Sequence, residues 1–310
     1  MLGERMIGTG KDSSEAHGRR RLRCNRSIAV GGSIVVVFAI LALLAQPLSS
    51  LTGNDPYKEH TNLLGNGSVP NGVGGGISVN HWFGVTSLRG VDLFSIVAYG
   101  TRVSLGIGVA SSLISLVIGV VLGLVAGYYP GILDSVISRT MDVFFGFPFL
   151  IFAIALSVVV PETFPRPMLL TLVLGFFGWP GIARLVRGQT LSLNKRNYAT
   201  ASRVMGASPL HVLWCQVLPN LLPLLIVNIT LSIPGRIGAE AGLSFLGVGM
   251  NPPTPSWGRS ISDAVQWALV DPMYLIFPGG ALFLLTFGFN LLGDGLNDLI
   301  NPRGESHENA

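Results

Sequence analysis

Six stretches of this chain contain no charged residue, and each approaches or exceeds the ~18 apolar residues needed to cross a bilayer as a helix. They are Ile28–Ala45, Val103–Gly127, Val143–Pro161, Pro167–Ala183, Val212–Gly235 and Met273–Gly293. Hydrocarbon offers no water to backbone groups, so such stretches must close their hydrogen bonds internally as helices. The expected fold is an all-α integral membrane bundle with six spans. Charged residues make up only 12% of the chain, about half the roughly 25% of soluble domains. Six crossings bring the N- and C-termini to one side. Basic residues are retained on the cytoplasmic side, and with both termini cytoplasmic, fourteen Lys and Arg fall inside against six outside. The net charge of +4 then follows from topology and attraction to anionic lipid, and nucleic-acid binding is a poor inference from it.

These limits divide the chain into a cytoplasmic basic tail (1–27), a first transmembrane helix (28–48), an extracytoplasmic loop (49–92), a core of five transmembrane helices (93–300) and a cytoplasmic tail (301–310). Arg19, Arg20, Arg21, Arg23 and Arg26 pin the first span to headgroups. With no small-x-small site after Leu44, that span reads as an uncleaved anchor rather than a signal peptide. Gly65 to Asn80 reads as a mobile loop, in which Asn66-Gly67-Ser68 fits a glycosylation acceptor and, better, a flexible turn. Cys24 and Cys215 both face a reducing compartment, so no structural disulfide is expected, and Cys24 is read as filler ahead of an acylation site. Gly119, Gly123 and Gly127 bare one helix face for close packing. Asp134, Arg139 and Asp142 are expected to pair locally on a short inner loop. Pro180 in the fourth span, with Pro219, Pro223 and Pro234 in the fifth, should loosen two helices into hinges.

Between the fourth and fifth spans lies the polar stretch Arg184 to Val212, with five of the twenty basic residues. Gly206 suits the left-handed geometry that ends a helix, Ser208 suits a cap, and Pro209 suits the first turn of the next helix. The stretch reads as helix (about Leu193 to Met205), sharp turn, helix. Ala199, Ala201 and Ser202 leave the first helix open to close approach by another surface, as a docking knob would be.

Thr200-Ala201-Ser202, then Gly206, then Leu218-Pro219 resembles the EAA loop of ABC-importer permeases, with Thr200 in place of the family's glutamate and Gln216 at a usually apolar position. The resemblance implies that a coupling loop at about 189–219 docks into a cytoplasmic ATPase through Tyr198, Ala199, Thr200, Ala201, Ser202, Gly206, Ala207, Leu218 and Pro219. An outer loop at about 241–272 carries Leu243-Ser244-Phe245-Leu246-Gly247-Val248-Gly249 and then Pro252-Pro253-Thr254-Pro255-Ser256-Trp257-Gly258. It resembles the same loop in C-type permeases of dipeptide, oligopeptide and nickel importers, which implies that Pro252, Pro253, Pro255, Trp257 and Gly258 contact a solute-binding protein. His81-Trp82-Phe83-Gly84 and Tyr99 to Leu105 resemble the entry to that permease domain, so the resemblance runs from about Trp82 to Pro302.

The resemblance implies a six-span type I ABC importer permease in the cytoplasmic (inner) membrane. Its partners would be a B-type permease in a heterodimer, two ABC ATPase subunits holding ATP and Mg, and an extracytoplasmic solute-binding protein. The cargo would be di- or oligopeptides, with nickel complexes second. The chain itself would bind no cofactor and no metal and hold no catalytic residue. None of Lys11, Lys58 and Lys195 closes a phosphate-binding G-x-x-x-x-G-K-S/T loop, so ATP hydrolysis falls to other subunits. No H-E-x-x-H occurs, and no histidine shares a span with Ser111, Ser232 or Ser244. The spans read as nearly free of carboxylates and bases, which argues against an ion-coupled carrier. A channel or membrane-assembly subunit without ATP coupling is the alternative from another class.

Overall fold

The computed structural model describes residues 9–300. Helix α1 (Thr9–Thr52) runs unbroken through the basic segment and the first apolar run. The Arg19–Arg23 cluster and Cys24 have side chains outside the described residues, as does the whole 301–310 tail. Helix α2 (Leu93–Tyr128) starts at Asp92, whose carboxylate accepts the Ser95 amide at 2.8 Å, an N-cap that satisfies one otherwise unpaired donor. Then come α3 (Ile132–Gly146), α4 (Phe149–Val159), α5 (Arg166–Leu193), α6 (Asn197–Val204) and α7 (Pro209–Val212). A π turn, Leu213–Val217, leads into α8 (Leu218–Phe245), followed by α9 (Trp257–Val265) and α10 (Pro272–Ile300).

The bundle is centred on the seam of α2 and α5. A Cβ at Gly119 would lie 2.7 Å from Ile182 Cβ, at Gly123 2.7 Å from Ala183 O, and at Gly127 2.6 Å from Thr190 Cβ. Only glycine lets the two backbones come so near. The numbers rise together along this seam, so α2 and α5 run parallel. Against α2, helix α8 runs the opposite way: Ser104 meets Glu240, and Ser112 meets Ser232. Helices α1 and α10 also cross antiparallel, Gly31 lying on Gly288 and Leu292.

Five helices are long and apolar enough to cross a membrane, and α3 with α4 makes a sixth candidate bent by 79°. This corrects the expected straight span Val143–Pro161. Pro148 has no N–H to continue the α3 ladder, so the chain turns at Phe147 and α4 keeps only 11 residues, about 17 Å of rise. The acidic residues of α3 do not pair locally, because α5 lies within reach. Arg187 Nη2 donates to Asp134 Oδ2 at 2.8 Å, and Arg184 Nη2 to Asp142 Oδ1 at 2.7 Å. Pro180, Pro223 and Pro234 sit inside continuous helices.

Helix α8 runs ten residues past the expected end at Gly235, which puts Arg236 and Glu240 within the helix. Arg236 donates to Leu174 O of α5 and, at 3.0 Å, to Ser115 Oγ of α2. The helix that carries the fifth apolar run therefore holds two charged residues, against the expectation of nearly uncharged spans. The 53–92 segment is a folded loop, with bridges Leu64–Pro70 and Val85–Asp92 and its Gly75 seated against Asp271. In the half of the bundle that carries the loop between α8 and α9, Phe38, Val97, Ile237, Trp257 and Leu285 form one apolar cluster drawn from five helices.

Candidate coupling site and outer loop

The polar stretch after α5 folds into a compact elbow. Helix α6 is shorter than its sequence suggested, Asn197–Val204. Its end is a Schellman turn: the Ala207 N–H donates to Ser202 O and the Gly206 N–H to Arg203 O, both at 3.0 Å. That geometry requires a left-handed residue at the turn, and Gly206 has φ +88°. Ser208 then caps α7, its hydroxyl accepting the His211 amide at 3.3 Å, with Pro209 in the first turn.

Ala199 is the one buried residue of α6. It packs into a cluster with Leu124, Ile182, Val186, Val212, Leu213 and Val217, so the knob is keyed into α2, α5 and the π turn through a methyl group. Its other side is open. Tyr198, Thr200, Ala201 and Gly206 are exposed, Ser202 and Ala207 half-buried. Around the glycine, Val204 (83%), Met205 (80%) and Leu210 (68%) hold large apolar side chains in the open. These three were missed in the sequence, where single apolar residues in a polar stretch carry no periodic signal.

Thr200, which stands for the family's glutamate, is turned to its own helix and accepts from Arg203 at 3.3 Å. Gln216 donates to Ser202 Oγ, tying α6 to the π turn. Leu218 is half-buried beneath the cluster and Pro219 is exposed. Pro219 lacks the N–H that would close on the Cys215 carbonyl, and the widened turn Leu213–Val217 stands directly before it, a common local answer to a broken ladder.

In the loop between α8 and α9 the expected contact residues separate into two groups. Pro252 and Pro253 are exposed, whereas Pro255, Trp257 and Gly258 are buried, so these last three are corrected from surface contacts to internal supports. The Trp257 indole is fully enclosed, donates to Val97 O at 3.0 Å and stands edge-on to Phe38. A Cβ at Gly258 would lie 2.1 Å from Ala241 O. Their burial follows from the start of α9 lying across α2 and α8, not above them. Beneath this crossing, Glu240 is fully buried and accepts three hydroxyls: Ser104 at 2.6 Å, Ser244 at 2.8 Å and Ser256 at 2.9 Å. Its spacing of four from Ser244 was the available signal, masked because Glu240 falls between the uncharged run ending at Gly235 and the expected loop at about 241–272.

The bundle thus carries a capped elbow before α8 and a loop after it that is tied to α2 and α8 through Glu240. Residues 119–305 match the family of binding-protein-dependent transport system inner membrane components, and the chain belongs to that family. It is thus the transmembrane part of such a system, as distinct from an ATPase. Among its relatives, the oligopeptide transport system permease OppC of Escherichia coli (strain K12) is 38% identical, covering 92% of this chain and 90% of that protein. OppC of Bacillus subtilis (strain 168) is 35% identical, covering 91% and 88%. The glutathione transport system permease GsiD of Escherichia coli O157:H7 is 36% identical, covering 92% and 89%. A solved structure of the MetNI methionine ABC transporter in inward-facing conformations matches 65% of this chain and 96% of that chain at 23% identity and a TM-score of 0.49.

Proposed function

We propose that this chain is the C-type permease of an ATP-driven importer of di- and oligopeptides in the cytoplasmic membrane. A B-type permease completes the path, two ABC ATPases carry ATP and Mg on the inner side, and a solute-binding protein delivers cargo outside. The names of the relatives support peptides, since glutathione is itself a short peptide. In this reading the chain crosses six times with both ends cytoplasmic. Support comes from α2 and α5: two parallel helices in sequence need a return crossing between them, and only α3 with α4 stands there.

The observation that carries the proposal is the elbow. Its exposed apolar rim of Val204, Met205 and Leu210 faces outward while Ala199 locks it from behind. A cleft on an ATPase would bury that rim, and motion of the ATPase would reach α2 and α5 through Ala199. Swinging a transporter from 1:99 to 99:1 between two states takes ~5.5 kcal/mol, so the link has to be stiff, as a doubly bonded turn is. The test is co-purification. Met205→Asp with Val204→Asp is expected to leave the permease pair in the membrane and release its ATPases. Retention of the ATPases at wild-type ratio would remove the elbow from that contact.

A further inference from the structure

On the outer half of the seam between α1 and α2 is a cleft of about 420 Å³. Ala42 and Leu43 wall it from α1, Leu105 and Gly106 from α2, and Gln46 and Arg102 stand at its edge. It lies before residue 119, where the family match begins.

Arg102 is unlike the neighbouring arginines. Arg89, Arg166, Arg236 and Arg259 each reach an acceptor within the chain. Arg102 is exposed and has no hydrogen-bond or ion-pair partner among the described residues, and the same holds for the Gln46 amide. Arg102 lies nine residues into α2, directly before the uncharged run Val103–Gly127, where that run predicts the headgroup boundary. A guanidinium at such a boundary attracts an anion. The walls give a small free anion no partner beyond the edge. Leu43 is 79% exposed, and Val36 and Val37 one to two turns away are 55% and 61% exposed, so the cleft opens onto an apolar surface that suits hydrocarbon. The floor is bare because Gly106 has open space where a Cβ would stand.

We infer that this cleft is a binding site for an anionic phospholipid of the outer leaflet. The lipid phosphate accepts from Arg102 and the Gln46 amide, and one acyl chain lies over Gly106 between Leu43 and Leu105. Unpaired donors at the edge and apolar walls below match an amphipathic anion in both parts. The site goes beyond the transport reading and rests on it only for the orientation that names the leaflet; otherwise it requires that α1 and α2 lie in lipid.

Native mass spectrometry of the purified permease–ATPase complex tests this, with phosphatidylglycerol, phosphatidylcholine or inorganic phosphate added. Phosphatidylglycerol is expected to be retained about fivefold over phosphatidylcholine, the order set by one basic residue at an anionic surface. Arg102→Gln should erase that preference and Arg102→Lys keep part of it. Gly106→Leu should reduce lipid retention with the charge intact, and neither variant should alter the thermal transition of the complex. Equal retention of the two lipids, a preference that survives Arg102→Gln, or displacement by inorganic phosphate would each overturn the proposal. So would a cleft that binds lipid only when the second permease is stripped away, because a helix of that partner would then be its occupant.

Discussion

Glu240 on α8 accepts the hydroxyl of Ser256, the residue that starts α9, at 2.9 Å in a fully buried setting. With Ser104 and Ser244 bonded to the same carboxylate, one side chain joins α2, α8 and the outer loop. Glu240→Gln keeps an acceptor and the shape, so it is expected to cost about 1–3 kcal/mol. Glu240→Ala strands three hydroxyls and should cost more, with the loop after Met250 becoming protease-sensitive. Thermal melting and limited proteolysis of the purified complex check the order; equal stability of the two variants contradicts it.

Trp257 supports the same crossing by packing. Trp257→Phe retains the ring against Phe38 but loses the bond to Val97 O, which still accepts from Thr101 at 2.8 Å. A loss of about 1 kcal/mol is expected. Trp257→Ala leaves a cavity and should cost about 3–5 kcal/mol. If Trp257 is instead a surface contact, both variants will melt like wild type and differ only in response to the binding protein.

The glycine seam admits no side chain. Gly123→Val would press into Ala183 O and Val186 Cβ, each 2.7 Å from the new Cβ, so α2 and α5 must part. The expected result is a drop in folded protein recovered from the membrane, with overpacking of this kind worth about 1–3 kcal/mol or more. Gly181→Ala, at an open position on the exposed face of α5, is the matched control and should be recovered normally.

Much of this was legible in the chain because local chemistry fixes it. Gly206 takes the left-handed turn that other residues resist, Ser208 offers a capping oxygen and Pro209 fixes a helical first turn, so the turn and cap could be placed from three letters. The spacing of Gly119, Gly123 and Gly127 announced a close seam, though α5 as its partner depends on contacts distant in sequence. Charge misled where burial is tertiary. Glu240 and Arg236 looked like loop residues because their acceptors and donors come from α2, α5 and α9. The break at Pro148 was hidden inside an apolar run whose hydropathy does not change at the turn.

The outer segment should respond to acid. His60 has its pKa lowered, chiefly by burial and then by the neighbouring His81 and Lys58, with Asp92 opposing; its Nε2 is buried without a hydrogen-bond partner among the described residues. A histidine held below its ordinary value of ~6.5 favours the neutral form in the folded state. The unfolded loop then binds the proton more readily, and stability is lost as pH falls below about 6.5 through the folded pKa. Proteolysis of the 53–92 segment should rise between pH 7.5 and 5, and His60→Gln should flatten that rise. An unchanged pH response in His60→Gln would assign it to another group.

The elbow is tested most directly by nucleotide-driven uptake of a labelled dipeptide into vesicles holding the complete complex, comparing wild type with Gly206→Pro. Proline fixes φ near −65° and cannot follow the +88° of Gly206. The expected result is an intact permease pair in the membrane with uptake abolished. Uptake by Gly206→Pro at the wild-type rate would contradict the account.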